Sequence, residues 1–240
     1  MPAMAIHAAF DILAWIAAGL AMLWAIWRLP AAASAVPSAQ RLPYWLALVG
    51  GAALGAYGFG SLNLWASGQP GVARSIEGGL FGAIVAVEFF KRFAGLTART
   101  GARYALPLAI GVAVGRVGCF LSGLEDFTHG IPTDLAIGHD FGDGILRHPV
   151  QLYESAAMAL FAAFYVAALS RQNPWIAANG FYLTVGYYGA QRFLWEFLKP
   201  YGAVLGPFTI FHILSTLLVS YAIAMIATAP GQPHERPLSA

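Results

Sequence analysis

The segment Arg147-His148-Pro149-Val150-Gln151-Leu152-Tyr153-Glu154 places a cation, an imidazole, an amide, a phenol and a carboxylate within eight residues, at the mouth of an apolar run that reaches Leu169. Polar groups at the edge of hydrocarbon are costly unless protein, water or a ligand satisfies them. Three further segments carry such groups into apolar runs: Glu77-Gly78-Gly79-Leu80, Arg116 and Cys119 within Gly115–Phe120, and Gln191-Arg192 with Glu196. Arg192 and Glu196 are four apart and share a helix face, as do Gln151 and Glu154 three apart, so ion pairs and joint ligand contacts are both open to them. One reading is that Arg116, Arg192, Glu154 and Glu196 neutralise one another and fix helix packing. The other starts from the excess, because Arg147, His148, Gln151 and Gln191 are more than packing requires. Arginine grips phosphate in a planar, bidentate way, so two or three arginines at one membrane face suit a phospholipid headgroup.

The elements that position these groups are apolar. Of 240 residues 59% are hydrophobic and 10% charged, with a mean hydropathy of +0.65, whereas soluble domains carry about 25% charged residues. The fold expected is an all-α polytopic membrane protein. Candidate spans near the ~20 residues needed to cross a bilayer fall at 6–28, 42–66, 76–93, 104–124, 149–170, 175–198 and 206–228, which makes seven transmembrane helices. The third is the weakest, being interrupted by Glu88 and ended by Lys91-Arg92. His7 to Trp27 is too long for a signal-peptide core and has no basic stretch before it, so it reads as a retained span. The Pro30–Pro43 loop, the Gly68–Gly71 turn, Asn173-Pro174 and Lys199-Pro200 punctuate the spans.

Arg28, Arg41, Lys91, Arg92, Arg99, Arg103, Arg171 and Arg236 fall on one side, against Arg74, Arg147 and Lys199 on the other, which predicts an N-terminus outside and a C-terminus in the cytoplasm. The long loop from Glu125 to His148 then faces outward, with five acids and three histidines. Residues 1–229 read as a single membrane domain and 230–240 as a disordered cytoplasmic tail. The net charge of +2 and the lack of a basic domain give no reason to expect nucleic acid as a partner. The single Cys119 excludes an intramolecular disulfide and a multi-thiolate metal site; no metal and no cofactor are expected, and Cys119 reads most simply as a small apolar filler. Gly111 and Gly115 suit close helix packing, while Gly118 and Gly123, which flank Cys119, suit close approach to a ligand equally well.

Four segments together resemble one family. Gly115-Arg116-Val117-Gly118-Cys119-Phe120 resembles the G-R-x-G-N-F signature of the bacterial prolipoprotein diacylglyceryl transferases. Arg147 to Glu154 is similar to their R-H-P-x-Q-L-Y-E segment, Gly189 to Phe197 to their Y-G-x-x-R-x-x-x-E-F segment, and Glu77-Gly78-Gly79-Leu80 to their H-G-G-L, all in the family's order. The resemblance implies a multi-pass enzyme of the bacterial inner membrane. Such an enzyme moves a diacylglyceryl group from phosphatidylglycerol, or a similar anionic phospholipid, to the lipobox cysteine in the signal peptide of a secreted preprolipoprotein. A thioether forms and glycerol phosphate leaves. Catalytic roles would then fall to Glu77, Arg116, His148, Tyr153 and Arg192, and substrate binding to Gly78, Gly79, Gly118, Cys119, Arg147, Gln151, Glu154 and Glu196. That chemistry needs a deprotonated acceptor thiol and cations where charge gathers on the leaving phosphate.

The chain departs from the pattern in places. Glu77 stands for the family's histidine, Cys119 for its asparagine, and Ser122-Gly123-Leu124 for its N-x-E, which Glu125 meets only with a one-residue shift. Glu77 is either a base for the thiol proton or a carboxylate resting on a helix N-terminus. A paralogue with the same lipid pocket, acting on another acceptor or only binding lipid, is the alternative. A transporter is disfavoured, because neither repeats nor broken helices are visible.

Overall fold

The computed structural model describes residues 3–29 and 36–229. Each of the seven apolar segments forms one helix: α1 (Ala3–Arg28), α2 (Arg41–Ala66), α3 (Ile76–Phe93), α4 (Ala105–Ser122), α5 (Val150–Ser170), α6 (Pro174–Glu196) and α7 (Ile210–Ala227). The helices around α1, α2, α4, α5 and α7 are long and apolar enough to cross a membrane. The other two are diluted by polar residues: α3 carries Glu77, Glu88, Lys91 and Arg92, and α6 carries Asn179, Gln191, Arg192 and Glu196. The proposed tail at 230–240 and residues 30–35 of the first loop lie outside the described residues.

Helix α1 packs on α4, α2 on α3, α4 on α5, and α6 on both α5 and α7. The apolar core lies where α4, α5 and α6 meet, built from Leu106, Ala109, Val112, Met158, Tyr165 and Val185 among others. The outer faces of α1 and α2 stay bare, with Trp15 80% and Leu54 79% exposed, as helices bathed in lipid would be. Glycines set the α2–α3 distance. Gly51 and Gly55 face Gly78 and Gly82 so closely that a Cβ on Gly82 would lie 2.2 Å from the Gly51 carbonyl oxygen, and one on Gly55 2.1 Å from that of Gly78. Small residues spaced by four let helix backbones touch in this way.

Local chemistry fixes where the helices begin. The Ser75 hydroxyl accepts from Gly78 N at 3.0 Å to open α3. Asn173 caps α6 ahead of Pro174, accepting from Trp175 N and Ile176 N. Thr209 and His212 form a reciprocal capping box on α7; each device satisfies amides that a helix start leaves unpaired. At the other end of the bundle cations meet helix C-termini. Arg28 donates to Leu169 O at 2.9 Å, Arg103 to Leu29 O, and Arg99 to the Met225 carbonyl. The fifth span, expected from residue 149, starts at Val150, with Pro149 as the N-cap of α5 and His148 just outside.

The all-α expectation holds, with one small addition in a loop. The loop after α4 contains a two-stranded antiparallel ribbon, β1 (His139–Asp140) with β2 (Leu146–Arg147), His139 opposite Arg147. Its turn is held by Asp140, whose carboxylate accepts from the amides of Gly142, Asp143 and Gly144. Gly142 and Gly144 sit at φ values of 102° and 78°, conformations that glycine adopts without strain.

Gly82→Ala should lower stability by about 1–3 kcal/mol, the range for forcing atoms into a packed contact. Gly50→Ala, on the same pair but with nothing within 4 Å of its added Cβ, should melt at or above the parent temperature. Thermal unfolding in detergent, followed by circular dichroism, compares the two.

Candidate functional site

The helix ends opposite the Arg28–Arg103 cluster deliver charged side chains to one buried point. Arg192, near the C-terminus of α6, is its hub. Its Nε lies 3.2 Å from Glu77 Oε2 in the first turn of α3, Nη1 lies 3.1 Å from Glu154 Oε1 on α5, and Nη2 lies 2.6 Å from Glu196 Oε2 one turn further along α6. Glu154 also pairs with Arg116 of α4 and, at 3.1 Å, with Lys199 Nζ just past α6. Ser215 of α7 donates to Glu77 Oε1 and Thr209 to Glu196 Oε1, both at 2.6 Å. The Arg192 guanidinium also lies 5.2 Å from the centre of the Phe211 ring.

All six charged members are buried, and three carboxylates face three cations. An isolated charge would be prohibitive here, and a neutral, hydrogen-bonded cluster is the form in which buried charge survives. Burial pushes the Lys199 ammonium down to about 8, against the pull of Glu154.

Gln151 is buried one turn before Glu154, donating to Thr128 Oγ1 at 3.3 Å, while the Thr128 carbonyl accepts from Lys199 at 3.1 Å. Among the described residues the Gln151 carbonyl oxygen, both ends of the Gln191 amide, the Tyr188 hydroxyl and His212 Nε2 are buried without a hydrogen-bond partner. Buried polar groups are nearly always paired, so a set of unsatisfied ones beside an ionic cluster marks a place for polar ligand atoms or water.

The other residues singled out in the sequence, Cys119 excepted, lie apart from this cluster. Arg147 is on the ribbon, 2.7 Å from Asp143, whose carboxyl is held below its usual range by that hydrogen bond. His148 and Tyr153 form a half-buried pair, Nδ1 to hydroxyl 3.4 Å, with Tyr153 against Trp195. Gly78 and Gly79 lie against α2, and a Cβ on Gly118 would meet Phe10 of α1 at 2.3 Å. Cys119 is buried, its sulfur 4.0 Å from Arg116 Nη1. Glu125 is exposed, and the neighbouring Asp126 turns inward instead.

Sequence reasoning missed Lys199, Thr128, Thr209 and Ser215. Lys199, one turn beyond Glu196, had a helical-spacing signal, and Thr209-x-x-His212 had a capping signal. Nothing local pointed to Ser215 or Thr128, whose partners within the ionic site are far away in the chain.

The helices and their buried ionic site are those of a multi-pass membrane protein. Comparison with known proteins adds the lineage. The model of the prolipoprotein diacylglyceryl transferase family matches residues 4–228. Similar proteins include the phosphatidylglycerol--prolipoprotein diacylglyceryl transferase of Vibrio vulnificus strain YJ016, 32% identical over 178 residues (72% of this chain, 63% of the relative). The protein of that name from Geobacter sulfurreducens is 33% identical over 162 residues (64% and 60%), and that from Methylocella silvestris 34% over 180 residues (70% and 61%). The chain belongs to the prolipoprotein diacylglyceryl transferase family. It spans 60–63% of the length of these relatives. No solved structure matches.

Glu154→Gln should destabilise the protein by about 3–5 kcal/mol, the cost of leaving buried cations without their counter-ion. Asp143→Asn, which breaks only the loop pair, should leave the melting temperature unchanged. Thermal melts of both variants in one detergent compare the two pairs directly.

Proposed function

We propose that this chain transfers the diacylglyceryl group of phosphatidylglycerol, or of a similar anionic phospholipid, to a cysteine thiol of a secreted preprolipoprotein, releasing glycerol phosphate. The observation that carries this reading is the Arg192 cluster, which draws together charged residues from all four segments resembling the family's. In this reading all seven helices of a single membrane domain, residues 1–229, cross the bacterial inner membrane, with the N-terminus outside. The ionic site then lies towards the outer leaflet.

The lipid phosphate binds at Arg192, Arg116 and Lys199. Arg192 has five N–H donors, and its ion pairs with carboxylates engage one direction on each of its three nitrogens, so N–H groups remain for phosphate oxygens. Cations held in place before the reaction stabilise the charge that builds on the departing phosphate without reorganising. Glu154, Glu196 and Glu77 hold Arg192 in that geometry. Both Glu77 oxygens are engaged, one by Ser215 and one by Arg192, which supports a positioning role over that of a base. Among the polar groups of the four segments, His148 fits thiol deprotonation better, because its ring lies outside the ion-pair network, meets the Tyr153 hydroxyl and is only half-buried. Gln151 and Gln191 offer amides to the glycerol hydroxyls. An apolar cavity of ≈ 250 Å³, lined along α3 from Leu80 to Glu88, begins one turn beyond Glu77 and can take part of an acyl chain.

A second reading keeps the lipid pocket and changes the acceptor. Glu77 and Cys119, at positions where the family has other side chains, favour it. Expression in cells depleted of their own transferase separates the two: lipidated lipoprotein supports the first, and its absence with the protein folded and membrane-inserted supports the second. In complemented cells Arg192→Ala should abolish lipidation, whereas an active Arg192→Ala protein would rule out the phosphate-binding assignment.

Transfer by purified protein should fall as pH rises through about 8, where Lys199 loses its proton. The loss follows the sign of a cation needed in its charged form. Lys199→Arg should move that alkaline limb upward, because guanidinium stays charged; an unmoved limb would show that another group sets it.

A further inference from the structure

Beside the ionic network lies a second cluster with a different donor set. His7 of α1, Cys119 of α4 and Asp126 of the turn after α4 bring a ring nitrogen, a sulfur and a carboxylate oxygen within 4.8 Å of one another. His7 Nε2 is 3.1 Å from Asp126 Oδ1. Bonds of about 2.0–2.2 Å at a tetrahedral angle would set a nitrogen and an oxygen about 3.3 Å apart on one zinc ion, so the two atoms already stand close to the spacing of shared ligands.

The groups behind these donors match what metal ligands need. A ligating histidine usually gives its other ring nitrogen to a carboxylate, and ligating carboxylates are themselves hydrogen-bonded. His7 Nδ1 lies 3.3 Å from Asp11 Oδ2, one turn along α1. The second oxygen of Asp126 accepts from the Thr128 hydroxyl at 2.9 Å. Charge also balances: a Cys119 thiolate and an Asp126 carboxylate cancel a divalent cation, leaving the nearby Arg116 with its own counter-ion, Glu154. The mixed nitrogen, sulfur and oxygen set suits zinc and its neighbours in the first transition row, and disfavours magnesium and calcium, which take oxygen ligands.

We propose that His7, Cys119 and Asp126 form a binding site for a divalent transition-metal ion of the zinc class, with Asp11 orienting His7 and Thr128 orienting Asp126. Three protein ligands leave one tetrahedral position for water or an incoming ligand. The assignment does not depend on the transferase reading, since it rests on a separate set of side chains. Through Thr128, which also contacts Gln151 and Lys199, the ion would brace the floor of the ionic site.

The test uses untagged, chelator-treated full-length protein in detergent, titrated with Co²⁺. The expected result is one bound ion per chain, with a thiolate-to-cobalt charge-transfer band and the visible bands of tetrahedral cobalt, both removed by Zn²⁺. Cys119 is the only thiol in the chain, so the charge-transfer band reports this site alone. It should vanish in Cys119→Ser and in Cys119→Asn, two variants so that misfolding of one does not decide the matter. Asp11→Asn should keep the band and weaken Co²⁺ binding by about 10–100-fold, as expected for loss of a group that orients a ligand. Folded parent protein that gives no thiolate band at stoichiometric Co²⁺ would overturn the proposal, as would an affinity unchanged in both His7→Ala and Asp126→Asn.

Discussion

The guanidinium of Arg192 is the point through which the helices of this protein are referred to one another. It meets Glu77 from α3, Glu154 from α5 and Glu196 from its own helix, and Glu154 passes the connection on to Arg116 of α4 and to Lys199. In a low-dielectric interior such a set is tolerated only when its charges sum to zero and its geometry is good. Each helix must therefore arrive at a fixed depth and rotation for any of the charges to be accommodated. The α2–α3 glycine contact and the capping of α3 by Ser75 serve that requirement, because they set where Glu77 sits.

Much of the architecture was legible in the hydropathy of the chain, for a simple reason. A helix surrounded by lipid on most of its circumference must be apolar on most of its circumference, and α1, α2, α5 and α7 meet that condition. Helices α3 and α6 read more weakly because each carries polar side chains to both ends of the bundle: Glu77, Arg192 and Glu196 to the ionic cluster, and the Glu88–Lys91 pair and Asn179, which accepts from Arg99, to the other end. The asymmetry of basic residues, used in the sequence to orient the bundle, has a local cause as well: Arg28, Arg99 and Arg103 bond carbonyl groups at or just beyond helix C-termini, where cations are favoured in any setting. The β-ribbon was not legible, since its two-residue strands are shorter than any alternation pattern.

The charged members of the site in the spans were legible as polar groups set in apolar runs, and helical spacing related those close in sequence. The Arg192–Glu196 pair follows from helical spacing, and the burial of Gln151 and Glu154 on one face follows from theirs. Lys199, Thr128 and Ser215 join the site through contacts between distant segments, which no local pattern encodes. Glycines were the least transparent. Gly118 suited a ligand approach on sequence grounds, yet Phe10 occupies the space where its Cβ would be, while Gly111 and Gly115, expected at helix contacts, face Ala18 and Ala14 of α1 at distances where an added Cβ would make ordinary contact.

Thr128 is a junction between two clusters. Its hydroxyl meets Asp126 and Gln151, and its carbonyl meets Lys199, so one loop residue touches both the His7–Cys119–Asp126 cluster and the arginine network. Two sites coupled through a shared element change each other's ligand affinity by the same factor. The loop after α4 is in this sense a thermodynamic coupler between the two clusters.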